Sequence, residues 1–220
     1  LKRFTSGAAA WTDITTISGG SGQLCTYKDK LYFVSGKKVL SMNIGETVNS
    51  SGIYTLDFTY LSGHISWIRA GSNRIWIGFT KNDGTKGLIF EWDGQSENGW
   101  SKNYIIEAQG SCGCAIWNDT PYVLDVEGRL LGFGGSYFQE VARLPIMTSD
   151  YLSRGYVTSF TNKLCHFNGI AYISDSILIN VNNSISGDTE GMVENFPSGI
   201  YQYTKEGGLT HKLSPSISST

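Results

Sequence analysis

The stretch "GSCGCAIWNDTPYVLDVEGRLLGFGG", residues 110–135, holds three short apolar runs separated by two polar turns. "CAIW" and "PYVLD" flank Asn118-Asp119, and "VEG" separates "PYVLD" from "RLLGF". Asn and Asp suit a tight hairpin because they tolerate positive φ or hydrogen-bond their own backbone. The pattern predicts consecutive antiparallel strands with no helix.

The same grammar recurs along the chain. "LCTYKDKLYFVSG" (24–36), "SWIRAGSNRIWIGFT" (66–80), "GCAIWNDTPYVLDVEG" (113–128) and "LCHFNGIAYISD" (164–175) each read as strand, turn and aromatic-bearing strand. The turns are Lys28-Asp29, Ser72-Asn73, Asn118-Asp119 and Asn168-Gly169; the anchoring aromatics are Tyr32, Trp76, Tyr122 and Tyr172, spaced 44, 46 and 50 residues apart. Two further strand-like runs complete each unit, among them "KVLSMNI", "GLIFEWDG", "RLLGFGG" and "GIYQYTK". Four strands at a period of about 40–50 residues is the pattern of β-propeller blades. The fold expected is all-β, a β-propeller of four-stranded antiparallel blades. Blades are expected near 21–63, 64–109, 110–157 and 158–214, with residues 1–20 as half of another, in one domain over 1–220. Because a propeller closes on itself, a larger ring of six to eight blades is expected, with the rest outside this sequence.

Composition agrees. The chain has 220 residues with 27 Gly and 28 aromatics, while only 16% are charged. Such a mixture favours short strands and tight turns over helical bundles or disorder. Seventeen basic against nineteen acidic residues leave a net charge of −2, which argues against a nucleic-acid partner. No apolar run is long enough to predict a membrane-spanning helix.

The four cysteines follow from the repeat. Cys25, Cys114 and Cys165 precede their anchor aromatics by 7, 8 and 7 residues, and Cys112 shares a strand face with Cys114. The expected role is a small apolar filler of the innermost strand. Metal ligation and an inter-blade disulfide are the alternatives, though two cysteines on one strand face are poorly placed for bonding each other.

Chemistry-bearing motifs are sparse. "QSENGWSKNY" (95–104) departs from the sialidase Asp-box by lacking its Asp, and no nucleophile elbow, zinc-protease helix or Walker loop occurs. The innermost strands carry Leu24, Cys25, Tyr27, Ile65, Trp67, Cys114, Ile116, Leu164, Cys165 and Phe167, with Arg69 and His166 as polar exceptions. His64, His166 and His211 fall on separate blades. "INVNNSISGDTEG" (179–191) is read as a solvated loop rather than a calcium site. No catalytic residue, cofactor or metal is expected.

Loop asymmetry is more informative. First and second strands join tightly, whereas "TKNDGTKG" (80–87), "IMTSDYLSRGYVTS" (146–159) and "SDSILINVNNSISGDTEGMVENFPSG" (174–199) are long connections at the opposite end. Long loops in compact domains tend to carry function. The expected partner-binding face comprises Lys81, Asp83, Asp150, Tyr151, Arg154, Tyr156, Asp188 and Phe196.

The phrases "SGIYTLDF" and "SGIYQYTKEGGLTHKLS" resemble segments of divergent propellers in tailed-phage virion proteins, such as tail, nozzle or fibre-associated components. That resemblance implies a structural or protein-interaction domain located in a virion, contacting other proteins of a large assembly. Two further readings stand beside it. One is a glycan-binding module stacking sugars on Trp100 and Tyr151; the other is a glycoside hydrolase drawing on Asp83, Glu127, Asp150 or Asp175.

Overall fold

The computed structural model describes residues 2–3, 12–13, 23–43, 56–95, 99–144, 166–173, 175–182 and 199–213. It is all-β in these residues, built from four antiparallel four-stranded sheets, the blade unit of a β-propeller. A two-stranded ribbon, β1 (Lys2–Arg3) with β2 (Thr12–Asp13), precedes them.

Each sheet is a meander whose strands pair in chain order. The first holds β3 (Leu24–Tyr27), β4 (Lys30–Ser35), β5 (Lys38–Asn43) and β6 (Leu56–Asp57). The second holds β7 (Gly63–Ala70), β8 (Ile75–Lys81), β9 (Leu88–Trp92) and β10 (Lys102–Ile105). The third holds β11 (Ser111–Trp117), β12 (Thr120–Asp125), β13 (Arg129–Phe133) and β14 (Phe138–Arg143). The fourth holds β15 (His166–Ile173), β16 (Ser176–Asn182), β17 (Gly199–Thr204) and β18 (Gly208–Leu213).

Three of the expected turns join first and second strands: Ser72-Asn73 lies between β7 and β8, closed by Gly71 N–H donating to the Arg74 carbonyl (2.8 Å), and the other two take positive φ. Lys28 and Asp29 take φ of 45° and 61°, and Asn118 and Asp119 take 49° and 59°. Two successive positive values make the primed hairpin turn whose twist matches its strands. The anchors Tyr32, Trp76 and Tyr122 are buried on the second strands of their sheets.

The fourth sheet departs from expectation. Asn168-Gly169 is not a hairpin turn: β15 runs straight through it, with a bulge between Phe167 and Gly169. Tyr172 therefore lies on the first strand, opposite Ile177, and the last pair before the hairpin turn is Ile173 with Ser176. The reason lies in "SILINVN" (176–182), which was expected to be loop. Its Ile177, Ile179 and Val181 alternate at period two and are all buried, so this run outcompetes a shorter local hairpin for pairing with β15.

The chain divides into two compact units, Leu1–Ser111 and Cys112–Thr220. In the first, the core joins Tyr32, Val34 and Val39 of the first sheet to Ile68, Ile77, Phe79, Phe90 and Trp92 of the second. Tyr32 donates its hydroxyl to the Gly94 carbonyl at 2.8 Å. Gly94 sits at φ +77°, and a Cβ there would stand 2.9 Å from that hydroxyl. In the second unit, Trp117, Tyr122, Leu124 and Leu130 pack with Ile177, Ile179, Val181, Tyr201 and Tyr203.

One device repeats in three sheets. The residue just past the outer strand donates its N–H to a carbonyl of the turn between second and third strands: Phe58 to Lys37 (2.9 Å), Ile106 to Gly87 (3.1 Å) and Leu144 to Gly128 (2.8 Å). All three donors are buried apolar residues. Each bond ties the departing chain to the turn, satisfying a polar group that burial would otherwise strand.

Candidate functional site

Of the eight residues expected on the partner face, Lys81 and Asp83 lie in described structure; Asp150, Tyr151, Arg154, Tyr156, Asp188 and Phe196 lie outside the described residues. Lys81 ends β8, and Asp83 begins the turn toward β9. The Asp83 carboxylate accepts from the backbone N–H and hydroxyl of Thr85, while the Lys81 ammonium stands 3.9 Å away. The Thr85 hydroxyl, then its amide, hold the Asp83 carboxyl below the usual carboxylate range. A self-bonded Asx turn of this kind stiffens a loop with local atoms alone.

The turn is also fastened along its length. Lys81 N–H donates to the Gln109 carbonyl (3.0 Å), Gln109 Nε2 returns a bond to the Lys81 carbonyl (2.7 Å), and Gly87 N–H donates to the Ala108 carbonyl (2.7 Å). Gly87 permits this approach: a Cβ there would stand 2.7 Å from the Gln109 carbonyl oxygen and the Gly110 Cα. Lys86 and Glu107 pair at 2.7 Å, both well exposed. The result is a fastened ledge at the end of the second sheet, with Asp83, Lys86 and Glu107 exposed beside a largely buried Lys81.

Other candidate residues serve structure. Glu127 contacts Arg129 at 3.3 Å in the turn after β12, and Asp175 occupies the hairpin turn between β15 and β16. Trp100, expected to offer a face to sugar, is half-buried against Phe58 (5.9 Å) and Phe90 (4.8 Å). Among the described residues, no three His, Cys, Asp or Glu side chains are placed to hold a metal ion.

The described thiols are likewise accounted for; Cys165 lies outside the described residues. Cys112 directs its Sγ toward the carbonyls of Leu124 (3.3 Å) and Asp125 (3.4 Å), and Cys114 is buried with Sγ 3.7 Å from the Ala115 carbonyl. Burial pushes the Cys25 thiol up to about 12, against a smaller opposing pull from Arg69. A thiol so protonated is neither a nucleophile nor a ready metal ligand. On the first strands, Leu24 is 48% exposed, and Arg69, the expected polar exception, donates to Gln23 Oε1 (3.0 Å) and the Ile68 carbonyl (2.8 Å).

Two buried charge centres were not singled out from sequence. Asp125, fully buried, accepts from the N–H groups of Glu127 and Arg129 (2.9 Å each) and from Arg129 Nε (2.6 Å). Glu91, also buried, accepts from the Tyr104 hydroxyl (2.6 Å) and pairs with Arg74. The D-x-E-G-R spacing at 125–129 carried a signal for the first. The second depends on β9 pairing with β10 and on Arg74 of the β7–β8 turn, and had none.

No protein-family description matches the chain, and no curated protein does. Solved structures resemble it in chain course. "KlHsv2 with loop 6CD replaced by a Gly-Ser linker" is 13% identical at a TM-score of 0.49, covering 94% of this chain and 62% of that one. The "AfRom2 CNH domain" is 15% identical at 0.48, covering 96% and 76%. A luciferin-regenerating enzyme is 12% identical at 0.31, covering 90% and 76%. The chain thus spans under two thirds of the first of these proteins, and none of the three assigns it a partner, substrate or activity.

Proposed function

We propose that this chain is a non-catalytic β-propeller domain for protein interaction within a larger assembly, with the Lys81–Asp83–Lys86–Glu107 ledge as part of its contact surface. The observation that carries this reading is the fastening of that ledge. Its backbone is hydrogen-bonded to residues 106–109 at several points, so a partner meets charges already positioned, and binding loses little ordering entropy. Interspersed charges of both signs favour a complementary protein face, and they contribute to specificity and encounter rate more than to affinity. The unmatched loop residues Asp150, Tyr151, Arg154, Tyr156, Asp188 and Phe196 extend the same proposal, and the virion setting comes from the sequence resemblance alone.

Native material fractionated by sedimentation tests it. The chain is expected to travel with a large particle, and a Asp83→Lys/Lys86→Glu double variant is expected to leave it while keeping its melting temperature. Because Asp83, Lys86 and Glu107 are exposed, salt weakens the wild-type association. A free wild-type chain in native extract, or a double variant that stays with the particle, would reject the reading.

A further inference from the structure

The turn joining the first and second sheets holds a large exposed aromatic ring in one fixed place. Tyr60 is 62% exposed, although its neighbours Phe58 and Leu61 pack inward. Four hydrogen bonds pin the turn. Leu61 N–H donates to the Phe58 carbonyl (3.0 Å), Thr59 N–H to Asp57 Oδ1 (2.8 Å), Lys37 Nζ to the Leu61 carbonyl (2.6 Å) and Phe58 N–H to the Lys37 carbonyl (2.9 Å). The Tyr60 ring lies at 20° to Trp100 with centroids 6.2 Å apart, and Trp100 is itself wedged against Phe58 and Phe90. A tyrosine has few torsions to freeze, so a ring braced this way is a preformed contact surface.

Its surroundings are polar. Thr59, Ser62 and Lys38 are exposed, and Lys38 Nζ stands 3.2 Å from Asp57 Oδ2. The amide and hydroxyl of Thr59 hold the Asp57 carboxyl below the usual range, so it is an ionised acceptor at neutral pH. The Asp57 charge also reaches Tyr60, whose hydroxyl is pushed up first by burial and then by that carboxylate. A flat apolar face ringed by an anionic acceptor, a cationic donor and a hydroxyl matches one class of ligand well. A sugar ring has an apolar face of C–H groups and an equator of hydroxyls that both donate and accept.

We propose that this turn is a carbohydrate-binding platform: Tyr60, braced by Trp100, takes the apolar face of a pyranose while Asp57 and Lys38 bind its hydroxyls. Trp100 is the support and Tyr60 the contact. A proline-rich peptide also docks on aromatic rings, but it offers few hydroxyl donors to the Asp57–Lys38 pair. This proposal rests on none of the ledge residues, so its failure and the failure of the interaction reading are distinguishable.

The test uses the full chain and its tryptophan emission, because a ligand on Tyr60 changes the environment of Trp100. Cellohexaose, maltohexaose, chitohexaose and a decaproline peptide are titrated singly, up to about 10 mM, the weak end of specific recognition. At least one oligosaccharide is expected to give a saturating shift. Tyr60→Ala should weaken it about tenfold or more. Tyr60→Phe keeps the ring face and should retain binding. Melting temperatures confirm that both variants fold. No saturating oligosaccharide, saturation by decaproline alone, unchanged affinity in Tyr60→Ala, or loss of binding in Tyr60→Phe would each overturn the proposal.

Discussion

Replacing Gly78 with alanine probes how the second sheet packs around a buried indole. Gly78 faces Trp67 across the β7–β8 pair, and its missing side chain is the space the indole fills. A Cβ at Gly78 would stand 2.8 Å from Trp67 Cδ1 and closer still to Nε1 and Cε2. Trp67 cannot yield cheaply, since it is 1% exposed and donates Nε1–H to Ser111 Oγ at 2.8 Å. Overpacking a core costs about 1–3 kcal/mol. Moving the indole also strands a buried hydrogen-bond donor, a further loss of about 1–3 kcal/mol. Alanine recovers about 0.5–1 kcal/mol of strand propensity. The net expectation is a loss of about 1–5 kcal/mol, read from urea denaturation followed by circular dichroism. Gly84→Ala is the control: its φ is +75° but nothing lies within 4 Å of the added carbon, so only backbone strain of about 1 kcal/mol remains. A double-mutant cycle with Trp67→Phe should show coupling of about 1 kcal/mol or more. A Gly78→Ala protein no less stable than Gly84→Ala, or a cycle without coupling, would refute the packing argument.

Asp125→Asn should cost about 3 kcal/mol in the same assay, because Arg129 then loses the buried charge that balances it; a loss under about 1 kcal/mol would mean solvent screens that pair. For Cys25 the folded value of about 12 lies above the ordinary 9.0, so burial of the neutral thiol contributes stability below pH 9 that is lost as pH rises toward about 12. Native protein at pH 8 should accordingly label slowly at Cys25 with iodoacetamide and rapidly once unfolded, as peptide mass mapping reports, and equal rates in both states would contradict the assigned burial.

Legibility varied by residue for identifiable reasons. Lys28-Asp29 and Asn118-Asp119 were readable as turns because a tight hairpin is decided by four or five neighbouring residues. Asn168-Gly169 carries the same local message yet becomes a bulge, since a bulge and a turn ask for similar backbone freedom. Only the competing partner, Ser176–Asn182, distinguishes them. At the candidate sites, Asp83 was readable because its loop is long and polar and its turn is closed by Thr85, two residues away. Tyr60 was not, because exposure of an aromatic depends on what packs around it. Trp100 was read as a surface ring for the same reason, and three aromatic neighbours hold it in place.

The amino-acid sequence by itself determined the fold class and the meander of strands. Periodicity, turn chemistry and repeat spacing are local quantities, and each sheet is made almost wholly from neighbours in the chain. Tertiary structure alone decided which polar groups are buried. Glu91 meets Tyr104 and Arg74 only when β9 pairs with β10 and the β7–β8 turn closes nearby, and Asp57 and Lys38 meet only because β6 pairs with β5. Burial and charge proximity are properties of the packed chain, summed over residues that the sequence holds far apart.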